Sequence, residues 1–409
     1  MKLYIRENYL KKIRGFYHVD DIIKVITGVR RSGKSSLMQM IADELIKSGV
    51  PETNIVYLDL DKRVYKGIKT PEQLEELILS RSAADGIKYL FIDEVQNVNG
   101  FEEVLNGFRT EGGWSIFITG SNSYLLSGEL VTKLTGRYIE FEIFPLSFHE
   151  YEEMKVFFGK TVNVNPLAEL TDYILEGGFP RAVLFDDIAD KRRYVQGVVT
   201  EIFEKDIRKR LKIGNKDAFE TVRKYIINNF GATTSINNIC EELRKNGTVI
   251  AKMTVSRYIK ALIDAKILYE CPRFDMKSKK SLSGEKKYYL SDLGFYFADN
   301  TDNNINYGPV LENMIYLYAK ALDYSVSVGK YGKFECDFIV RGSDMQYAYI
   351  QVAYTIAQSK ATEDREYRPL ESVKDNYPKY VITTDYLLQQ RNGIRHVNLI
   401  EFIRANARF

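Results

Sequence analysis

Gly28-Val29-Arg30-Arg31-Ser32-Gly33-Lys34-Ser35 fits the spacing G-x-x-x-x-G-K-[ST]. Its surroundings give that spacing physical meaning. Upstream, Ile22, Ile23, Val25 and Ile26 read as a buried parallel strand, and downstream Leu37, Met38, Ile41, Leu45 and Ile46 share one helical face. A glycine-rich loop between such a strand and a helix N-terminus is a phosphate cradle. Its amides and the positive end of the helix dipole face the anion, Lys34 reaches the outer phosphates and Ser35 holds magnesium. Gly28 and Gly33 permit the close backbone approach, and Val29, Arg30, Arg31, Ser32 and Ser36 complete the cradle. The competing reading is a glycine turn before a surface helix.

Tyr89-Leu90-Phe91-Ile92-Asp93-Glu94 is an apolar strand ending in paired acids. A phosphoryl-transfer site of this kind needs an aspartate on the magnesium side, and Asp93 fits. Glu94 stands where a carboxylate can polarise the attacking water, which points to hydrolysis rather than binding alone. Taken by itself, the segment also reads as an ordinary strand ending in solvated acids.

At 409 residues the chain exceeds one hydrophobic core, so two to four domains are expected. A net charge of +3 and a pI near 8.4 are too mild to imply nucleic acid, which leaves local clustering to carry any such argument. Cys240, Cys271 and Cys336 are widely spaced, odd in number and without metal-ligand spacing, as free thiols in a reducing compartment would be. The N-terminal residues lack an apolar signal core and no segment offers an uncharged membrane-spanning run. These features lead to the expectation of a cytoplasmic protein with no membrane partner.

Strands are expected at 22–28, 54–60, 88–93, 114–120 and 137–144, alternating with helices, which makes the first half a parallel sheet covered by helices. Thr119-Gly120-Ser121-Asn122 follows the fourth strand. Asn122 is either a sensor of the terminal phosphate or a turn-capping residue. Arg137 precedes the fifth strand, where it either reaches a phosphate in its own or a neighbouring subunit or serves as a surface arginine.

GVRRSGKSS, FIDEVQNV, ITGSNS, LTGR and EGGFP together resemble the bacterial and archaeal AAA-type ATPases that carry a restriction-endonuclease-like C-terminal domain of unassigned function. The resemblance spans nearly the whole chain. It implies an α/β multidomain protein: an ATPase core at 1–150, a helical lid at 151–214, a winged helix at 215–304 and a PD-(D/E)xK-like α/β domain at 305–409, with ATP and Mg2+ as cofactors. By the same resemblance Pro180, in Glu176-Gly177-Gly178-Phe179-Pro180, lies near the adenine. On local grounds the motif is equally a glycine helix cap followed by a proline stop.

Helices are expected at 166–176 and 187–211, then at 236–245 and 254–266 around the turn Asn246-Gly247, which is helix-turn-helix spacing. Val255, Ile259, Leu262 and Ile263 face inward, leaving Lys252, Arg257 and Lys260 outward. Lys277, Lys279, Lys280, Lys286 and Lys287 then surround Ser283-Gly284 like a basic wing. Such a cluster either neutralises DNA phosphates without reading bases, or forms a solvated or protein-docking surface.

The implied nuclease-like domain can be compared residue by residue. Glu312 and Asp337 match the expected acids. The following strand should carry an acid, one residue and then lysine, but has Gln351-Val352-Ala353. Ala353 does none of the lysine's work, so the site reads as degenerate unless a substitute such as Lys360 enters. Two functional classes follow: a magnesium-dependent ATPase rearranging its appended modules, on DNA or on a protein partner or further copies of itself, and a nucleotide-controlled interaction scaffold. Ala353 opposes a third, an ATP-dependent nuclease.

Overall fold

A computed structural model describes residues 2–82, 85–120, 134–208, 213, 215–276, 278, 280–300 and 305–409, with 281–283 described by backbone alone. The chain divides into two compact units, Met1–Ile143 and Phe144–Phe409.

In the first unit α1 (Glu7–Ile13) precedes β1 (Ile23–Thr27), α2 (Lys34–Lys47), β2 (Ile55–Asp59), α3 (Pro71–Arg81), β3 (Lys88–Asp93), α4 (Phe101–Glu111), β4 (Trp114–Thr119) and β5 (Tyr138–Glu142). The strands form one sheet in the order β2-β3-β4-β1-β5, every pair parallel. All five expected strands are present. Alternation sorts their side chains to two cores. Ile23, Val25, Leu90, Ile92 and Ile118 pack with Leu74, Ile78 and Leu105 of α3 and α4, while Ile26, Phe91 and Phe117 pack with Leu10, Leu37 and Ile41 of α1 and α2. Stacked rings of Tyr57, Phe91 and Phe117 run across three adjacent strands of that second face.

Lys24 sits fully buried in the middle of β1. It is tolerated because its ammonium donates to the Val19 carbonyl (2.5 Å) and the Ser115 hydroxyl (2.9 Å) and lies 4.6 Å from the centre of the Phe117 ring. Burial nevertheless brings its pKa down to about 7.

The second unit begins with α5 (Phe148–Phe157), α6 (Pro166–Glu176) and α7 (Ile188–Ile202). Ser147 and Glu150 cap α5 reciprocally, and Asn165 with Pro166 starts α6. The helix expected over 187–211 changes after Ile202 into a wider π turn, Phe203–Arg208, which brings Phe203, Asp206 and Ile207 all inward. Next come α8 (Lys216–Asn228), α9 (Ile236–Lys245), α10 (Lys252–Asp264) and the hairpin β6 (Leu268–Asp275) and β7 (Lys280–Leu290). After α11 (Gly294–Asp299) and α12 (Tyr307–Ala321) the chain lays down β8 (Ser325–Tyr331), β9 (Phe334–Arg341), β10 (Tyr347–Val352), α13 (Lys360–Ser372), β11 (Lys379–Thr383), β12 (Gln390–Arg391), β13 (Ile394–Asn398) and α14 (Leu399–Arg404).

The hairpin does not stand apart. Residues Arg273–Asp275 of β6 pair in parallel with Val328–Lys330 of β8, giving one mixed eight-stranded sheet in the order β12-β13-β11-β10-β9-β8-β6-β7. This continuity brings β7 side chains beside acids on α12 and β9.

Candidate functional site

The loop after β1 is built by residues that can adopt left-handed backbone. Gly28 (φ 138°), Arg31 (φ 70°) and Gly33 (φ 106°) all have positive φ, and a Cβ on Gly28 would meet the Ile143 carbonyl at 2.1 Å. Such turns gather backbone N–H groups around one concavity at the N-terminus of α2. The Lys34 ammonium is buried inside it, donating to the carbonyls of Gly28 (3.0 Å) and Val29 (3.3 Å). The buried Ser32 hydroxyl is left without a partner, as suits a cradle meant for further acceptor oxygens. From behind, Arg6 donates to the Ser32 carbonyl at 3.2 Å, a support the sequence did not disclose. Ser35 is exposed and Ser36 half-buried on the first turn of α2.

Because β4 lies between β1 and β3, Thr119 at its end separates the loop from the acids of β3. Its hydroxyl donates to Asp93 and accepts from the Glu94 amide at 3.3 Å. Asp93 is buried. Glu94 is in the left-handed region (φ 56°), a conformation that costs a non-glycine residue energy and recurs at functional positions. One of its carboxylate oxygens accepts from the Gln96 amide and the other lies 3.9 Å from the Arg30 guanidinium. Burial raises the Glu94 pKa, against the pull of Lys34 and Arg30.

Among the described residues no group of three or more His, Cys, Asp or Glu side chains could hold a metal alone. Loop, orphaned hydroxyl and paired acids fit a nucleotide with its magnesium.

Arg137 requires a correction. Its carbonyl accepts from the Ile23 amide (2.9 Å), so it lies at the N-terminal end of β1, with a strand of about 15 Å between it and the phosphate loop. A residue just before a parallel strand lies at the end opposite the cradle, and for that reason Arg137 does not reach a phosphate of its own subunit. Its guanidinium donates to Asn106 at 3.0 Å. Asn122 lies outside the described residues.

In the second unit Gly177 (φ 77°), Gly178 and fully buried Phe179 dock against the segment after β7. The Asp292 carboxylate accepts from the amides of Gly178 and Gly294, each at 2.7 Å, and a Cβ on Gly177 would meet it at 2.1 Å. Burial raises Asp292 to about 7 although both amides favour its charge. Gly177 of the EGGFP motif is thus explained by this latch, and Gly178 by the Leu146 carbonyl, which a Cβ there would meet at 2.3 Å. Half-buried Pro180 follows it.

Arg257 and Lys260 are exposed on α10, with Lys260 3.9 Å from Asp264. Lys280 is exposed, and Lys286 donates to Glu270 at 2.6 Å. Lys277 and Lys279 lie outside the described residues. Lys287 does not belong with them. It is buried, donates to Glu312 at 3.0 Å and stands 3.3 Å from Glu335. The reason is the strand period: Lys287 shares a face of β7 with fully buried Tyr289, whose hydroxyl donates to the same Glu312 oxygen at 2.8 Å.

Glu312 and Asp337 are drawn together around Lys287. Burial and the neighbouring Glu312 raise the Asp337 pKa well above the carboxylate range. Burial opposes the Lys287 charge, yet Glu312, Asp337 and Glu335 together hold it firmly protonated. Gln351 accepts from the Asp337 amide (3.4 Å) and donates to Glu366 (3.0 Å), and Ala353 is packed in a hydrophobic core. Lys360 is exposed and pairs with Glu363 at 2.8 Å, so it is not the substitute lysine.

The parallel sheet, the glycine loop and the acids of β3 define a P-loop ATPase domain of the AAA type. The family model described as "AAA domain" matches residues 20–152, and a second, "Domain of unknown function (DUF8612)", matches 167–302. The chain is 34% identical over 405 residues to an uncharacterized protein of Haemophilus influenzae, covering 97% of this chain and 98% of that one. It is also 30% identical to the uncharacterized protein MJ1544 of Methanocaldococcus jannaschii, covering 86% and 79% of the two chains. It belongs to the family of AAA-domain proteins that these relatives represent. Among solved structures, the Walker-type ATPase PABY2304 of Pyrococcus abyssi is similar in fold, with a TM-score of 0.50 at 15% identity over 72% of this chain and 95% of that one. No described helix is long and apolar enough to cross a membrane.

Proposed function

We propose that the protein binds and hydrolyses ATP with magnesium, and that turnover rearranges the modules carried by the second unit. The observation that carries this reading is the pair Asp93 and Glu94 beside Thr119, at the end of the strand two places from the phosphate loop. Lys34 and the loop amides hold the phosphates, aided by Ser32. Ser35 and Asp93 would hold magnesium, which supplies neutralising charge to the phosphate oxygens when bound. Glu94 takes the proton of the attacking water. Asn122 senses the terminal phosphate, Pro180 lies by the adenine, and Arg137 acts on the nucleotide of a neighbouring subunit.

We divide the chain at 150, 214 and 304 into ATPase core, helical lid, winged helix and a nuclease-like domain whose site is inactive. Exposed Arg257, Lys260 and Lys280, with half-buried Lys286 and with Lys277 and Lys279, meet DNA phosphates irrespective of sequence. A second reading, a nucleotide-controlled scaffold for a protein partner, draws support from exposed Val249 and Met253 beside the same helix, 82% and 86% accessible. Measuring ATP turnover with magnesium, with and without duplex DNA, separates the two. Stimulation by DNA supports coupled work on DNA, and binding without turnover supports the switch.

A further inference from the structure

We propose that Arg30 couples the terminal phosphate of ATP to the position of Glu94: it restrains the glutamate until that phosphate draws the guanidinium away. The inference rests on the ATPase reading and adds a control to its site.

Both carboxylate oxygens of Glu94 face a cationic or N–H donor group, Oε2 accepting from Gln96 and Oε1 facing Arg30. Its backbone is anchored by Thr119, so the side chain alone can move. A general base must hydrogen-bond the water it activates, and an oxygen held by another donor is poorly placed to do so. The two restraints differ in kind. Gln96 lies on the acid's own segment, whereas Arg30 belongs to the phosphate loop, two residues after Gly28 and next to left-handed Arg31.

At 3.9 Å the Arg30 contact is an ion pair beyond direct hydrogen-bond length. It is therefore the weaker hold. A terminal phosphate in the same loop carries more charge than one carboxylate and offers a guanidinium bidentate geometry. Arg30 turns to the phosphate, and Glu94 is released when there is a bond to cleave. ADP lacks that group and leaves the pair closed. A spent nucleotide then does not keep the glutamate free.

The test compares binding of ADP and of β,γ-imido ATP to full-length wild type, Arg30→Ala and Arg30→Lys. In Arg30→Ala the analogue is expected to bind about tenfold more weakly while ADP changes less than about twofold. Arg30→Lys, keeping charge without the fork, should fall between. Gln96→Ala, which loosens the other oxygen, should raise turnover at saturating ATP. Equal weakening of both nucleotides in Arg30→Ala would reduce Arg30 to a loop-shaping residue and overturn the proposal, as would no weakening of either. A wild type that binds both nucleotides without turnover would sink the hydrolysis reading while the binding comparison still decides Arg30. Binding of neither would sink both.

Discussion

The Lys287 ammonium lies 3.0 Å from the Glu312 carboxylate, so a lysine on the edge strand of the sheet neutralises acids of the same sheet and of the helix packed on it. Removing it leaves buried Asp337 and half-buried Glu312 together without a counter-ion. Lys287→Ala should cost roughly 3–5 kcal/mol of stability. Thermal or denaturant unfolding reads this directly, and Glu312→Gln in the same chain should recover part of the loss. An unchanged midpoint in Lys287→Ala would show that the pair contributes nothing.

No DNA cleavage is expected with magnesium or manganese, with or without ATP. The lysine that stands among the acids is committed to them, Gln351 is tied to Glu366, and Ala353 offers no charge to an attacking water. Fold and activity are separable. Cleavage that disappears in Asp337→Ala would contradict this, and would make Lys287 the first candidate for the missing lysine.

Asp292 gives the second unit a pH dependence of known sign. Its folded value is raised to about 7, above the ordinary carboxylate value of about 4. Between those values the folded form keeps a proton that the unfolded form releases, so its contribution falls as pH rises and is fully lost above about 7. The upper bound is about 4 kcal/mol, at about 1.4 kcal/mol per unit. Melting curves from pH 4 to 8 should show Asp292→Asn gaining on wild type as pH rises. Parallel curves would remove Asp292 from the linkage.

Replacing Lys277, Lys279, Lys280 and Lys286 by Ala should weaken DNA binding for all sequences alike and flatten its salt dependence, by roughly one in logarithmic slope for each phosphate no longer engaged. Lys287 lies outside this set because it is buried. A salt slope that stays put in the fourfold variant would take the hairpin out of any DNA interface.

The parts legible in the sequence were those whose cause is local. Loop glycines with positive φ and an apolar strand ending in Asp93-Glu94 each declare themselves within a few residues. What escaped depends on partners far along the chain. Lys24 looks like an interruption of an apolar run until Ser115 and the Val19 carbonyl are brought to it. Asp292 finds the glycine amide of Gly178, 114 positions earlier. Lys287 stands among basic neighbours in the sequence, although its two-residue period with Tyr289 is a readable sign that it faces inward. Arg137 could also have been placed, since a residue opening a parallel strand cannot lie by the loop that closes the adjacent one.

The most direct test of the central claim is to measure ATP binding and steady-state hydrolysis side by side in wild type, Lys34→Ala and Glu94→Gln. Lys34 supplies charge to the phosphates in the ground state, whereas Glu94 acts on the water. Lys34→Ala should therefore lose affinity, and Glu94→Gln should hold ATP near wild-type affinity while hydrolysing it at least about 100-fold more slowly. Equal loss of binding in both variants, or unimpaired hydrolysis in Glu94→Gln, would contradict the assignment of this site as a hydrolytic one.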